Sequence, residues 1–302
     1  MIRLTRFRWP LAISLVFTLL MLNGWAQLGT FSKEQREGIT AEWKGERFPD
    51  GRPKVPDSVL KKIKTATAEE AWGVLREHKF NNQFAGGWKT VNVEPGKRLV
   101  GRVVTAVFMP HRPDLNNAIN KQAEIEKRVG RGQNSWVIDT LQPGDVLVVD
   151  LFGKIEDGTF AGDNLSTSIM TKTGTGLIVD GSVRDVSGIS EIKGFQVYVR
   201  DFHPSAIANV TMTGINVPIR IGNTTVMPGD VVVSDPDGGL TFIPPHLAQQ
   251  VADTSERVQL RDEWGHMMLR QGKYTPGQVD AKWSEAMEAE FKAWAEEEKK
   301  KR

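Results

Sequence analysis

The chain has 302 residues, 39% hydrophobic and 25% charged, and its 39 basic and 37 acidic side chains leave a formal charge of +2. This balance supplies enough apolar mass for a core and excludes disorder, collagen-like repetition and a polytopic membrane protein; it also provides no basic field for nucleic acid. Because cysteine is absent, disulfides, thiolate metal sites, iron–sulfur clusters and cysteine nucleophiles are excluded, and any chemistry must use oxygen and nitrogen groups.

The first nine residues carry Arg3, Arg6 and Arg8 without an acid, and residues 11–22 form an apolar run broken only by Ser14 and Thr18. With small residues at Gly24 and Ala26, this pattern predicts a secretory signal over residues 1–26, cleaved after Ala26. An uncleaved anchor is the alternative, since the apolar stretch approaches the length of a span. Cleavage would place the mature protein outside the cytoplasm, in a periplasm, free of the membrane.

Residues 27–86 read as an added helical layer. A Pro- and Gly-bearing loop covers 47–56, and a capping box of Thr67 and Glu70 starts a helix whose apolar face carries Ala71, Trp72, Val74 and Leu75. A β-rich core is predicted over residues 87–245, with an early strand at 103–108 ended by Pro110 and Pro113.

Within the core, residues 144–199 take the order strand, loop, helix, strand, loop, strand. The apolar run 146–152, interrupted by Asp150, predicts a strand covered on both faces. Asp163 is expected to cap a helix over 164–173 that Gly174 ends, and 177–179, 196–199 and 231–234 are further strands. Two turns, Pro143-Gly144-Asp145 and Pro228-Gly229-Asp230, each feed an apolar strand; an internal echo and shared turn chemistry explain the likeness equally well. Residues 246–302 form a C-terminal helical extension. Its last helix places Trp283, Met287, Phe291 and Trp294 on one face, suited to docking on the core or on a neighbouring subunit.

If the strands at 146–152 and 177–179 are parallel neighbours, their right-handed crossover brings the helix start and the loop 180–185 to one sheet edge. Asp163, the amides of Asn164 and Leu165, Arg184 and Asp185 would then converge. Helix-start amides and a guanidinium suit a small carboxylate. Asp185 is an oxygen ligand for a hard cation that keeps several waters, as magnesium does. Together they suit a 2-oxo acid, whose carboxylate and keto oxygens can chelate the ion. The same residues would serve equally as a helix cap beside a surface ion pair. Lys172, inside the predicted helix, reads as a solvated side chain, and the five histidines show no close ligand spacing.

From about residue 99 to 245 the sequence resembles the RraA-like family, which includes the 4-hydroxy-4-methyl-2-oxoglutarate aldolases and the regulator of ribonuclease activity A. The stretches Pro143-Gly144-Asp145-Val146, Gly162-Asp163-Asn164-Leu165, Val179-Asp180-Gly181-Ser182-Val183-Arg184-Asp185, Asn216-Val217-Pro218-Ile219 and Pro228-Gly229-Asp230-Val231 carry it. The family pattern of an Asp, twenty residues, then Arg-Asp is met by Asp163 and Arg184-Asp185.

The resemblance implies an α/β fold of the swivelling β/β/α type, a homotrimer or dimer of trimers with sites between subunits, and Mg2+ or Mn2+. It further implies a class II aldolase: retro-aldol cleavage of a 2-oxo acid giving pyruvate, with oxaloacetate decarboxylation beside it, through a metal-stabilised enolate. In that scheme Asp185 holds the metal, Arg184 binds the pyruvyl group, and Asp163 orients Arg184 and metal-bound water. The amides of Asn164 and Leu165 hold the substrate carboxylate, and Glu263 is the candidate acid from a neighbouring subunit. The family's usual Leu-Leu is Asn164-Leu165 here. A noncatalytic binding or regulatory protein, like the ribonuclease-inhibiting branch, is the competing reading.

Overall fold

A computed structural model describes residues 30–130 and 132–301; the expected signal at residues 1–26 lies outside the described residues. The N-terminal layer comprises α1 (Lys33–Ile39), α2 (Asp57–Ile63) and α3 (Ala68–Glu77). The capping box that starts α3 forms: the Glu70 amide donates to Thr67 Oγ1 at 2.9 Å and the Thr67 amide to Glu70 Oε2 at 3.1 Å.

Strands and helices then alternate: β1 (Phe84–Ala85), β2 (Lys89–Val91), β3 (Val100–Pro110), α4 (Pro113–Ile125), α5 (Gln133–Ile138), β4 (Asp145–Asp150), α6 (Asp163–Thr173), β5 (Gly176–Val183), α7 (Val186–Ser190) and β6 (Gln196–Phe202). After these come β7 (Val210–Ile215), β8 (Ile219–Ile221), β9 (Thr224–Val226), β10 (Val231–Ser234) and β11 (Leu240–Ile243), then α8 (Ala248–Arg270), α9 (Pro276–Val279) and α10 (Glu285–Lys301). One sheet runs in the order β1-β11-β10-β3-β4-β5-β6-β2, with β7 also paired to β3, and β8-β9 form a separate hairpin. The central strands β3, β4, β5 and β6 are parallel, so the expected crossover from β4 through α6 to β5 is present.

Period-2 alternation decides what each side of the sheet buries. Leu147, Val149, Leu177 and Val179 pack against Ile119, Trp136, Ile169 and Ile189 from the helices. Val146, Val148, Ile178 and Tyr198 face Ile219, Ile221, Val226 and Phe242 on the other side. Two-sided burial is why β4 reads as a continuous apolar run. Val59, Ile63, Ala71 and Leu75 of the N-terminal layer pack with Val251 and Ala252 of α8 over Val231, Val233 and Ile243. The far half of α8 enters a different cluster, where Leu260, Trp264 and Met268 meet Trp283, Met287 and Phe291. The C-terminal apolar face thus docks on the chain's own α8.

Three expectations need correction. Asp163 does not cap α6: Gly162 is the N-cap, and Asp163, as the first helical residue, accepts from the Asn164 amide at 2.7 Å. Residues 180–183 are not loop but the end of β5: Ser182 and Val183 pair with Asp201 and Phe202 of β6, and on the other side the Ser182 amide donates to Gly158 O at 3.0 Å and the Phe160 amide to Ser182 O at 2.9 Å. Trp283 precedes α10 rather than lying on it.

The two Pro-Gly-Asp turns share one geometry. The Gln142 amide donates to Asp145 Oδ2 at 2.9 Å, and the Met227 amide donates to Asp230 Oδ2 at 2.8 Å. Both carboxyls are buried, at 0% and 2% exposure, but among the described residues only the first has a cation. Arg52, itself buried, places Nη1 at 3.1 Å and Nη2 at 3.3 Å from the two Asp145 oxygens and reaches Asp50 at 3.0 Å. Its neighbour Pro53 seats on Gly229 of the second turn, where a Cβ would lie 2.5 Å from Pro53 Cδ. The loop after α1 therefore ties both turns together.

Arg52→Met leaves a carboxylate buried without its partner, so it should cost about 3–5 kcal/mol in urea unfolding; a loss below about 1 kcal/mol would mean that the pair contributes little. Burial pushes the Asp230 carboxyl up to about 8. A native acid with a raised pKa binds protons that the unfolded chain has released, so its contribution to stability is lost as pH rises toward that value. The stability of Asp230→Asn relative to the parent should therefore rise by on the order of 1 kcal/mol or more between about pH 5 and about pH 8.5. Urea titrations at the two pH values check this, and a constant difference would contradict it.

Candidate active site

The site begins where β5 ends. The His203 amide donates to Val183 O at 3.1 Å, and the Arg184 amide donates to Ala161 O at 3.1 Å, which fixes the chain as it leaves the sheet. Asp185 then adopts φ +55°, ψ 41°, the left-handed region, and starts α7. For a residue with a Cβ this state costs about 1 kcal/mol, and Asp is among the few side chains that tolerate it. The reversal sets the Arg184 and Asp185 side chains together, with Nε 3.3 Å from Oδ2.

Glycine makes the approach to α6 possible. A Cβ on Gly162 would overlap Asp185 Oδ2 and lie 3.2 Å from Arg184 Nε, while a Cβ on Gly188 of α7 would lie 2.9 Å from the Asp163 Cβ. Both contacts bring the start of α6 against the Arg184-Asp185 pair. Asp163, Asn164, Leu165, Arg184 and Asp185 all line one cavity of about 180 Å³, which Thr159 and Ile207 also line. Five of the six residues expected from the sequence are thereby gathered.

The sixth is elsewhere. Glu263 is exposed on α8 and does not line this cavity within the chain. Lys172 also stays outside, 3.8 Å from Asp139. Residues missed in the sequence are those that hold the cavity wall: Asn134 Nδ2 donates to Phe160 O at 2.7 Å, and Thr159 Oγ1 bonds Ser182 Oγ at 3.0 Å and His203 O at 3.1 Å. The one signal for that wall was glycine, since a Cβ on Gly158 would overlap Lys154 O.

The chemistry of the cavity follows from exposure and charge. The Arg184 and Asp185 side chains are 43% and 47% exposed, so their pairing adds little to stability and both can turn to a ligand. The first intrahelical bond of α6 runs from the Ser166 amide to Gly162 O at 3.0 Å, so the amides of residues 163–165 precede it and carry the positive end of the helix. One is already used, because Asp163 Oδ1 holds the Asn164 amide. That carboxylate must turn away before Asn164 can bind an anion, whereas Leu165 needs no such change.

A hard cation fits the donor set. Among the described residues no group of three or more His, Cys, Asp or Glu side chains gathers. Asp185, with Asp163 in the same cavity, would hold an ion through one or two carboxylates with water completing the shell, the arrangement magnesium prefers.

Gly162→Ala should displace the Asp185 and Arg184 side chains while the core, which it does not touch, keeps the melting midpoint within about 2–4 °C. A crystal structure of the variant with both side chains unmoved would contradict this account of the site.

Comparison with known proteins agrees with this architecture. A protein of Halalkalibacterium halodurans with the provisional name 4-hydroxy-4-methyl-2-oxoglutarate aldolase is 32% identical over 139 residues, which cover 45% of this chain and 65% of that protein. The chain thus spans just under two thirds of that relative's length. The crystal structure of Streptomyces coelicolor RraAS2, described as an unusual member of the RNase ES inhibitor RraA protein family, has 25% identity and a TM-score of 0.59, covering 71% of this chain and 99% of that one. An uncharacterized protein from Pseudomonas syringae shares the fold at 21% identity with a TM-score of 0.62, covering 78% of this chain and 98% of its own. The family profile described as RraA-like, Aldolase/RraA, matches residues 65–240, more than half of the sequence, and the chain belongs to that family.

Proposed function

We propose that this protein is a divalent-metal-dependent carbon–carbon lyase that cleaves a small 2-oxo acid, releasing pyruvate by retro-aldol cleavage, by decarboxylation of oxaloacetate, or by both. The observation that carries the reading is the single cavity holding Asp163, Arg184, Asp185 and the start of α6. The provisional aldolase name of the Halalkalibacterium halodurans relative supports it.

Asp185 would hold Mg2+ or Mn2+, and Asp163 is the second carboxylate lining the same cavity. When bound, such an ion supplies Lewis-acid polarisation of a keto oxygen. The remaining work falls to the chain. Arg184 offers a planar fork to the pyruvyl carboxylate or keto group, a geometry one ammonium cannot reproduce. The Leu165 amide, and that of Asn164 once Asp163 releases it, bind carboxylate oxygens at the positive end of α6. Thr159 and Ile207 line the same cavity, whose volume of about 180 Å³ suits a small acid.

The same reading assigns Glu263 of a neighbouring copy as the acid that handles the proton, which calls for an oligomer, a homotrimer or dimer of trimers in this proposal. It also assigns residues 1–26 to export to a periplasm, where the substrate would be met.

Purified protein supplied with magnesium or manganese should release pyruvate from oxaloacetate or a 4-hydroxy-2-oxo acid in a coupled lactate dehydrogenase assay, and EDTA should stop it. Asp185→Ala should abolish turnover with the fold intact. Arg184→Lys should lower kcat/KM by about 100-fold, the scale for one lost charge-stabilising group. Parent-like turnover in Asp185→Ala, or EDTA-resistant release, would refute the assignment.

A further inference from the structure

A second cavity of about 370 Å³ shares no residue with the candidate active site. It lies where the loop after α1, the chain after α3, the second Pro-Gly-Asp turn and the entry to α8 meet. Trp43, Phe80 and Met227 give it apolar and aromatic walls, and Asp230 is among its lining residues.

Asp230 is the unusual member. It is 2% exposed, and the one hydrogen bond its carboxyl receives among the described residues comes from the Met227 amide. The first Pro-Gly-Asp turn shows what such a carboxyl takes when a partner is at hand. There the corresponding oxygens of Asp145 meet the buried Arg52 guanidinium, whose planar face also stacks 4.7 Å from the Phe48 ring centroid. In the second turn no such guanidinium meets the carboxyl among the described residues, and Asp230 lines the cavity together with the aromatic rings of Trp43 and Phe80. Glu42 and His246 are the other titratable groups lining it, and Glu42 adds a second acid. His78, bonded to Gln250 at 2.7 Å, is the charge neighbour of His246 outside the lining.

We propose that this cavity binds a small organic cation, an ammonium or guanidinium on an apolar or aromatic body, with the charged head on Asp230 and the body between Trp43 and Phe80. The volume falls in the range of small-molecule sites. An anion would meet two acids in a poorly solvated space. A purely apolar occupant would bury the Asp230 carboxyl with its second oxygen still unmatched, which costs free energy. A cation gains a charge-assisted hydrogen bond and ring faces that favour positive charge. The proposal stands apart from the lyase reading.

The test uses benzylamine, benzyl alcohol and benzoate as isosteric cationic, neutral and anionic probes, titrated calorimetrically into the full protein at about pH 8.5, where the Asp230 carboxyl is ionised. Benzylamine should bind, and the other two should bind at least about tenfold more weakly. Asp230→Asn should lose at least about tenfold in benzylamine affinity while keeping the parent circular dichroism. Trp43→Ala, in an outer loop, should weaken benzylamine several-fold and provides the readout if Asp230→Asn does not fold. Asp185→Ala, altered only in the other cavity, should bind benzylamine as the parent does. Absence of benzylamine binding, equal binding of benzyl alcohol or benzoate, parent-like affinity in Asp230→Asn or Trp43→Ala, or lost binding in Asp185→Ala would each overturn the proposal.

Discussion

The start of α6 and the Arg184-Asp185 pair approach so closely at Gly162 that no methyl group fits between them. From that contact follows the rest of the site. It presses a cationic and an anionic side chain against the positive end of a helix, and it forces the reversal after β5 that Asp185 makes in a left-handed conformation. Strain of this kind persists only where the surroundings over-determine it. Here they do, through the parallel β4 and β5, the bonds from His203 and Arg184 to Val183 and Ala161, and the added rung at Thr159 and Ser182.

The extensions serve this core in different ways. The loop between α1 and α2 inserts a buried guanidinium under one turn and a proline on the other, so the first layer is structurally part of the sheet's edge. The C-terminal helices instead build their own aromatic cluster on the far half of α8, with Trp264 and Trp283 ring centroids 4.8 Å apart and the Arg261 guanidinium 3.4 Å over Trp283. Because Glu263 sits on that half of α8, the placement of this hairpin against another copy would govern whether the acid reaches a site.

Much of this was legible from residue order. An apolar run that neglects alternation marks a strand buried on both faces, and a right-handed crossover then obliges Asp163 and Arg184-Asp185 to meet despite the twenty residues between them. The helix start was misplaced by one residue because Asp is a common cap, while the extended backbone of Gly162, at φ −110°, ψ −162°, is set by the tertiary contact with Asp185. The extension of β5 to Val183 was illegible for a similar reason: it pairs with Asp201 and Phe202, beyond the apolar run of β6, and is bridged on its other side by residues 158–161, which lack strand periodicity. The two Pro-Gly-Asp turns were visible as a likeness. That one is answered by Arg52 from 93 residues away and the other opens on a cavity could not be, since a buried Arg leaves no periodic mark.

The central claim is that Asp185, beside Asp163 and Arg184, makes an oxygen site for a divalent ion. Mn2+ binding followed by electron paramagnetic resonance tests it most directly and without turnover. The account predicts saturable uptake by the parent that Asp185→Ala loses and Glu263→Gln in the separated subunit keeps. Equal uptake by the parent and Asp185→Ala would contradict it.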